Sequence, residues 1–249
     1  MKLQHPAFDP YRTLIDSLAL ERSFPSVAAL SAAANRLGIV NADGKPLRFV
    51  TPDSRLSARD YETGILLNGC VPTRAANVHD LMNALVWLRF PRFKATLNRS
   101  HVAAIAAEPG TQRGRRRDAL TVLDESGIWV ASLAADLSLA LAGREWEQLF
   151  WNRRDEVDSR MRFVVVGHAL LEKLLSPYPS MTGKCLLLES AGLDPDAAEK
   201  SAIAALAGLD NPHQLPPLPV LGIPGWDDNA SVTYYRNSEI FRPLQAGCR

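Results

Sequence analysis

Three short segments carry polar side chains whose types and spacing could do chemistry. In VHDLMNALVWLRF, Asn83 follows His79 by four residues and Asp80 by three, so a helix places all three on one face. The next segment, RFKATLNRSH, repeats the pattern with Lys94, Asn98 and His101. Burying such groups among apolar residues is costly unless they bond to each other, a metal or a ligand. The spacing therefore predicts two polar stripes that meet across one helix interface.

The third segment, GHALLEKLL, combines a histidine and a carboxylate on an otherwise apolar helix. His168 and Glu172 lie four residues apart, with Lys173 beside them. This spacing allows a pair of metal ligands, or a base with the partner that orients it. The segment does not complete an HExxH motif. For each of the three stripes, a salt-bridged pair of structural helices is the alternative.

The segment RRRDALTVLDESG predicts carboxylates at the ends of a strand. Asp118 begins a β-prone run, Asp124 and Glu125 end it, and GIWVAS follows, so we expect a β-hairpin. Paired carboxylates at a strand end suit a divalent metal or acid–base chemistry, and ordinary turn chemistry is the alternative. The arginines from Arg113 to Arg117 suit phosphate contact or form a solvated loop.

The elements that must position these groups are mainly helical. Two helices over 78–90 and 92–108, separated by one proline and closed by Pro109-Gly110, predict an antiparallel helical hairpin. Ser26 is placed as an N-cap and Asn68-Gly69 as a helix stop. Periodicity predicts further helices over 9–20, 26–37, 58–67, 134–142, 145–153, 167–175 and 195–207, and strands over 162–166 and 184–189.

The C-terminal part differs in composition. Six prolines follow Asp210, and LPPLPVLGIPGW excludes a regular helix or a central strand. The part is also rich in apolar residues, which disordered linkers avoid. We therefore expect a globular domain over residues 1–210 and an ordered, Pro-rich arm over residues 211–249 that packs on it. Trp226 and Tyr234-Tyr235 would anchor the arm, with stacking on a base or sugar as the alternative.

The composition fits one globular domain. Of 249 residues, 47% are apolar and 22% are charged, which excludes intrinsic disorder and makes a stabilising metal or disulfide unnecessary. The net charge of +1 predicts no overall attraction to nucleic acid or membrane. Residues 84–117, however, hold eight basic and one acidic side chain, whereas residues 168–249 hold six basic and nine acidic ones. The basic segment 84–117 is a modest indication of an anionic ligand.

Cysteine usage and the apolar runs predict a cytoplasmic protein without a membrane span. Cys70, Cys185 and Cys248 are far apart and form no CxxC pair, as in reduced intracellular proteins. The N-terminal residues lack the apolar region of a secretory signal, and the longest apolar run is short and contains Asp136. GxSxG, GxGxxG and P-loop motifs are missing. We expect Cys70 to be a buried core residue, not a nucleophile.

The motifs occur in the order seen in one known family. From Tyr61 to Pro243 the chain resembles the bacterial family called domain of unknown function 3025, on the segments VPTRAANVHDLMNALVWLRFPRFKATLNRSH, RRDALTVLDESG, GHALLEKLL, TGK, LPVLGIPGW and YYRNSEIFRP. This family has no established activity to carry over. The resemblance implies a bacterial, single-domain cytoplasmic protein. It places in motif blocks His79, Asp80, Asn83, Lys94, Asn98, His101, Arg117, Asp118, Asp124, Glu125, His168, Glu172, Lys173 and Lys184.

Together these observations favour a mostly helical α+β single domain with an antiparallel helical hairpin, a small β-sheet and the Pro-rich arm. We expect a metal-dependent or acid–base hydrolase of an anionic, phosphate-bearing substrate, with a divalent metal as candidate cofactor. The candidate catalytic or ligand residues are His79, Asp80, His101, His168 and Glu172. The candidate substrate-binding residues are Asn83, Lys94, Asn98, Arg117 and Lys184.

Two alternatives to an enzyme stay open at this point. The basic segment 84–117 suits a nucleic-acid-binding module, with the His and Asp groups as structural bonds. The Pro-rich arm suits a non-catalytic interaction protein that docks a partner or a second copy of the chain. A single enzymatic site requires His79 and His168 to converge, because groups more than about 15 Å apart cannot share a metal through ~2 Å bonds.

Overall fold

The structure, a computed structural model, describes residues 1–108, 113–189 and 192–244. It has the expected mixed α+β architecture, with a four-stranded sheet and a separate two-stranded parallel pair. No helix within the described residues is long and apolar enough to cross a bilayer. The elements are α1 (Arg12–Ser17), α2 (Val27–Arg36), β1 (Arg48–Val50), α3 (Ala58–Asn68), β2 (Cys70–Pro72), α4 (Val78–Arg89), α5 (Pro91–Ala107), α6 (Arg115–Ser126), β3 (Gly127–Ser132), α7 (Ala135–Ala142), α8 (Arg154–Arg160), β4 (Met161–Val165), α9 (His168–Lys173), β5 (Thr182–Glu189), α10 (Pro195–Ala205), β6 (Pro217–Pro219) and α11 (Val232–Tyr235).

The four-stranded sheet has the order β4-β3-β5-β6. Strand β3 pairs antiparallel with β4 and parallel with β5, and β6 pairs antiparallel with β5 at the edge. All six residues of β3 are buried, so this strand is covered on both faces. Trp129 in β3 meets Phe90 and Phe93 edge to face, with ring centroids 4.8 and 4.7 Å apart. These contacts hold the corner between α4 and α5 against the sheet.

The boundaries of the helices near the cavity follow from local sequence. Pro91 occupies the first position of α5, where its missing N–H is not needed and its fixed φ favours a helix. The predicted cap at Ser26 is confirmed, since its side chain accepts a hydrogen bond from Ala29 N. The predicted stop of α3 is also confirmed, with Gly69 in the left-handed region at φ 67°. Helix α5 ends at Ala107, and Pro109-Gly110 lies outside the described residues.

The expected β-hairpin over DALTVLDESGIWVAS is wrong, because its first half is helix α6. Ala119, Leu120 and Leu123 are fully buried and fall on one helical face. Their burial outweighs the preference of Thr121 and Val122 for strands. Only the second half forms a strand, β3, which pairs with β4 and β5 instead of folding back on the preceding segment.

Two glycines allow the end of α6 to approach the start of α9. A Cβ atom on Gly127 would lie 2.2 Å from the Leu123 carbonyl oxygen, and one on Gly167 would lie 2.3 Å from the Gly127 nitrogen. Only glycine fits such close backbone contacts. This approach brings Asp124, near the end of α6, next to His168, the first residue of α9.

The Pro-rich segment extends the sheet and packs on the rest of the chain. Strand β6 is an edge strand, as its prolines require. Leu218, Val220 and Ile223 are buried, and the Trp146 indole N–H donates to the Arg242 carbonyl. The segment also contains the short helix α11. The division of the chain at residue 210 stays a prediction.

The two cysteines in the described residues differ in burial. We expected Cys70 to be a buried core residue, but in β2 it is only partly buried. Its Sγ faces the Arg48 guanidinium at 3.1 Å. Cys185 is buried in β5, and burial raises the pKa of its thiol. Cys248 lies outside the described residues.

Candidate active site

A cavity of about 560 Å³ lies between α3, α4, α5, α6 and α9. Its volume is within the usual range for ligand-binding pockets. Its polar lining includes Tyr61 and Glu62 from α3, His79, Asp80 and Asn83 from α4, His101 from α5, Arg117, Asp124 and Glu125 from α6, and His168 from α9. The two polar stripes of α4 and α5 therefore converge, but on a cavity that α3, α6 and α9 help to form.

The two histidines from α4 and α9 are in direct contact. His79 Nε2 and His168 Nε2 are 3.0 Å apart, and the rings meet edge to face with centroids 4.5 Å apart. Each Nδ1 atom points to a carboxylate: that of His79 lies 2.9 Å from Glu172 Oε2, and that of His168 lies 3.7 Å from Asp124 Oδ1. The first distance is a hydrogen bond, and the second is an ion-pair distance. The result is a row of carboxylate, imidazole, imidazole and carboxylate.

The row changes one expectation about α9. The spacing of His168 and Glu172 suggests that the two side chains act on each other, but Glu172 bonds to His79 on α4. The reason is that α9 packs against α4, which brings the exposed edge of His79 to Glu172. His168 faces α6 instead.

The buried end of the row is an ion pair between α5 and α6. Lys94 is 4% exposed and bonds to Asp124. Burial alone would raise the pKa of Asp124, but Lys94, His168 and His101 together hold this pKa far below its ordinary value. Asp124 therefore stays ionised and offers a fixed negative charge to His168. The Lys94 ammonium also lies over the Trp87 ring, 5.6 Å from its centroid.

His101 is neutral at physiological pH. Burial, with smaller effects of Lys94 and nearby arginines, lowers its pKa to about 4, although Asp124 opposes the shift. Its Nε2 atom is buried and has no hydrogen-bond partner within the described residues. His101 therefore brings an uncharged imidazole to the cavity, close to the Lys94–Asp124 pair.

Glu62 is a cavity residue that the sequence reasoning missed. Asn98 Nδ2 donates to both Glu62 Oε2, at 2.7 Å, and the Glu62 carbonyl oxygen, at 2.9 Å. Burial and the Asp124 charge raise the pKa of Glu62 to about 7, against the opposing effects of Asn98, Lys94 and Arg117. The available signal was its position three residues before Ile65, the buried residue of α3, which places both on one helix face.

Asn83 and Asp80 line the cavity but do not contact the histidine row. Asn83 Nδ2 donates to the hydroxyl of Tyr61, whose pKa is raised by burial. Asp80 accepts hydrogen bonds from the Arg74 guanidinium and backbone N–H. Burial opposes ionisation of Asp80, but these bonds lower its pKa. The Asp80 carboxylate is thus hydrogen-bonded to Arg74 through both of its oxygens. Its expected catalytic role stays a prediction.

Arginines border the cavity on its outer side. Arg55, Arg74, Arg113 and Arg117 all line it. Arg117 bonds to Glu108 at 3.0 Å, and Arg113 pairs with Asp118. Lys184 lies elsewhere, on β5 opposite Gly127, and is not part of the lining. Of the ten candidate site residues, nine line the cavity or bond to a residue that does, and Lys184 does neither within the described part of the chain.

Most basic side chains of segment 84–117 pair with acidic side chains, and all of these partners except Glu108 lie outside the segment. Two of its arginines pair with the acidic helix α10: Arg89 with Asp196 and Arg92 with Glu199. The other pairs are Lys94–Asp124, Arg99–Asp43, Arg113–Asp118, Arg116–Asp210 and Arg117–Glu108. Seven of the eight basic side chains of the segment therefore have an acidic partner in the fold.

The described residues do not form a metal-binding cluster of three His, Cys, Asp or Glu side chains. His79 and His168 direct their Nε2 atoms at each other, but Glu172 and Asp124 contact the opposite nitrogens. The available donors at this point are therefore two imidazole nitrogens, which suit proton transfer between the rings better than a closed metal site.

Fold and cavity together define a mostly helical α+β protein with a histidine row beside a polar cavity. The chain belongs to domain of unknown function 3025, whose family model matches residues 47–245 and is described as a protein of unknown function. This membership confirms the resemblance seen in the motifs. No curated protein and no solved structure matches the chain.

Proposed function

We propose that this protein is an acid–base hydrolase of an anionic, phosphate-bearing substrate. The observation that carries the proposal is the contact of His79 and His168 through their Nε2 atoms at 3.0 Å, with a carboxylate at each Nδ1. Histidine is the side chain best suited to donate and accept protons near neutral pH. The Glu172 carboxylate, hydrogen-bonded to His79 Nδ1, fixes that ring and its tautomer, as in known catalytic sites.

Hydrogen-bond accounting gives the pair one shared proton. A neutral imidazole carries one N–H. Glu172 holds that hydrogen of His79 on Nδ1, so the His79 Nε2 lone pair faces His168 and accepts a hydrogen from its Nε2. In the acid form of the proposal, His168 carries a second hydrogen on Nδ1, which faces Asp124. The hydrogen between the two rings is then available for transfer to a leaving alkoxide.

The arginines around the cavity supply the substrate-binding part of the proposal. A guanidinium has five N–H donors, so Arg74, Arg113 and Arg117 keep free donors while they bond to carboxylates. Their planar shape suits bidentate contact with phosphate oxygens. The cavity volume of about 560 Å³ leaves room for a small phosphate ester above the histidines.

The test is hydrolysis of p-nitrophenyl phosphate, bis(p-nitrophenyl) phosphate and a nucleoside monophosphate by the wild type and by His79→Asn and His168→Asn. We expect either substitution to lower kcat by about 10²–10⁴-fold, the usual contribution of general acid–base catalysis. His213→Asn, at an exposed position far along the chain, is the matched control and keeps full activity. Rates with and without a chelator distinguish the acid–base from the metal-dependent form of the reaction.

Two outcomes oppose the proposal. One is that folded, pure wild type hydrolyses none of the three esters. The other is that both histidine variants retain the wild-type kcat.

A further inference from the structure

Four carboxylates line the cavity, and they differ in what holds them. Asp80 is bonded to Arg74, and Asp124 to Lys94, so cations keep both ionised. Glu125 is exposed at the rim. Glu62 alone is held by a neutral amide, that of Asn98. Unlike Asp80 and Asp124, Glu62 can therefore take up and release a proton without breaking an ion pair, and unlike the exposed Glu125 it is held in place by a buried amide.

The contact with Asn98 fixes the position of the Glu62 carboxylate. Asn98 is 3% exposed, and its Nδ2 reaches two acceptors of the same residue, the carbonyl oxygen and Oε2. Because both acceptors require the amide N–H₂, the orientation of the amide is determined. Glu62 Oε1 accepts no hydrogen bond within the described part of the chain, so it is left for a water molecule in the cavity.

Asp124 connects Glu62 electrostatically with the histidine row. Its charge acts on Glu62, and its Oδ1 lies 3.7 Å from His168 Nδ1. The same carboxylate therefore faces His168 and raises the proton affinity of Glu62. Burial and this charge bring the pKa of Glu62 to about 7, which is suitable for a base that operates near neutral pH.

We propose that Glu62 is the general base of this cavity and that the His79–His168 pair is the general acid. This inference rests on the proposed hydrolase function. Glu62 Oε1 takes a proton from water while the water oxygen bonds to phosphorus, the ester P–O bond breaks, and the shared proton of the histidines goes to the leaving oxygen. The products are an alcohol and phosphate. The proton on Glu62 then returns to the histidine pair through solvent, which restores the starting state.

The experiment compares Glu62→Gln with the wild type, using Glu239→Gln at an exposed position as the matched control. Glutamine keeps a side-chain oxygen that can accept the hydrogen bond from Asn98, so we expect the variant to fold. Circular dichroism and the unfolding midpoint check that it does. We expect kcat for p-nitrophenyl phosphate to fall by about 10²-fold or more with KM changed by less than threefold. The rise of kcat/KM through neutral pH, which reports the free base, disappears in the variant.

Two results would overturn the role of Glu62 as general base and leave the proposed hydrolase function intact. In one, Glu62→Gln retains the wild-type kcat; in the other, it loses activity equally at every pH. The second result would indicate a structural role alone.

A readout without substrate separates this inference from the proposed function. Carbon NMR of the protein labelled at the glutamate side-chain carboxyl shows a resonance that titrates near neutral pH in the wild type and in His79→Asn, and that is missing in Glu62→Gln. Failure to find this resonance removes Glu62 as the base even if His79→Asn abolishes hydrolysis. If the resonance is present but the wild type hydrolyses no ester, the hydrolase function fails and the base role fails with it.

Discussion

The cavity and the outer surface of α4 and α5 use basic residues from the same stretch of sequence in different ways. On the outside, Arg89, Arg92 and Arg99 pair with acidic residues of other elements and stay partly in water. Inside, Lys94 is buried with Asp124, and its charge helps to set the ionisation of the groups around it. Basic side chains from one stretch of sequence therefore form partly exposed ion pairs in one place and shift the pKa values of cavity residues in the other.

The cavity also concentrates unsatisfied polar groups. The described residues contain five buried side-chain polar atoms without a hydrogen-bond partner. Four belong to residues at or next to the cavity: Asn83 Oδ1, Asn98 Oδ1, His101 Nε2 and His168 Nδ1. Such groups cost stability and need an explanation in a folded protein. Their clustering around the cavity supports a functional site, where unsatisfied polar groups lower stability but remain available to a ligand. The residues of the surface ion pairs have no such buried, unsatisfied atoms among the described residues.

The largest expected effect comes from breaking the buried pair. Lys94→Met leaves the Asp124 charge buried without its main cation, which costs about 3–5 kcal/mol in the free energy of unfolding. Urea denaturation followed by tryptophan fluorescence measures the loss. The double variant Lys94→Met/Asp124→Leu recovers part of it, because no lone charge remains. A loss below about 1 kcal/mol in the single variant would show that the pair is not buried as described.

A smaller effect is the pH dependence contributed by Glu62. The pKa of Glu62 is raised from 4.5 to about 7 in the folded state, so the folded state binds this proton more tightly. The resulting stability is fully present below pH 4.5 and is lost as the pH rises through 7. We expect the wild type to lose at most about 3 kcal/mol relative to Glu62→Gln over this window.

The comparison with Glu62→Gln is necessary because His101 acts in the opposite direction. The pKa of His101 is lowered from 6.5 to about 4, so its contribution is present above pH 6.5 and is lost as the pH falls through 4. Urea denaturation of both proteins at pH 4.5, 6 and 7.5 cancels the His101 effect in the difference. A difference that does not change with pH would contradict the shifted pKa of Glu62.

The surface pairs should matter least for stability. In the Arg99–Asp43 pair, the two side chains are 55% and 41% exposed. Arg99→Ala should therefore lower the free energy of unfolding by less than about 1 kcal/mol, and high salt should remove the effect. Urea denaturation of Arg99→Ala and Lys94→Met under the same conditions compares the two losses in the free energy of unfolding. An equal loss in the two variants would refute the contrast between cavity and surface.

The ion pairs of segment 84–117 also predict weak binding to nucleic acid. Because most basic side chains of segment 84–117 already pair with carboxylates, the net positive charge that could displace counterions is small, even where an arginine keeps a free N–H donor. We expect the slope of log K against log salt for duplex DNA to stay below about 2 in magnitude, where each phosphate contact contributes about 0.9. Fluorescence anisotropy at several salt concentrations measures this slope. A steeper slope would favour the nucleic-acid-binding alternative over a hydrolase.

Several features of the fold and of the cavity can be predicted from short stretches of sequence. Helical spacing aligns His79 with Asn83 and Lys94 with Asn98, because a helix repeats every 3.6 residues whatever surrounds it. Caps and stops such as Ser26 and Gly69 depend only on their immediate neighbours. The edge position of β6 follows from its prolines for the same reason.

What the sequence determined by itself, therefore, is which side chains share a helix face and where helices with a clear cap or stop begin or end, as at Ser26 and Gly69. The tertiary structure decided which faces meet. It made the segment before β3 a helix, since burial of Ala119, Leu120 and Leu123 outweighed local strand preference. It joined Glu172 to His79, and it placed Glu62 beside Asn98 across 36 residues of chain. Such partners, and the pKa values they set, depend on packing and desolvation between distant segments, which no local pattern encodes.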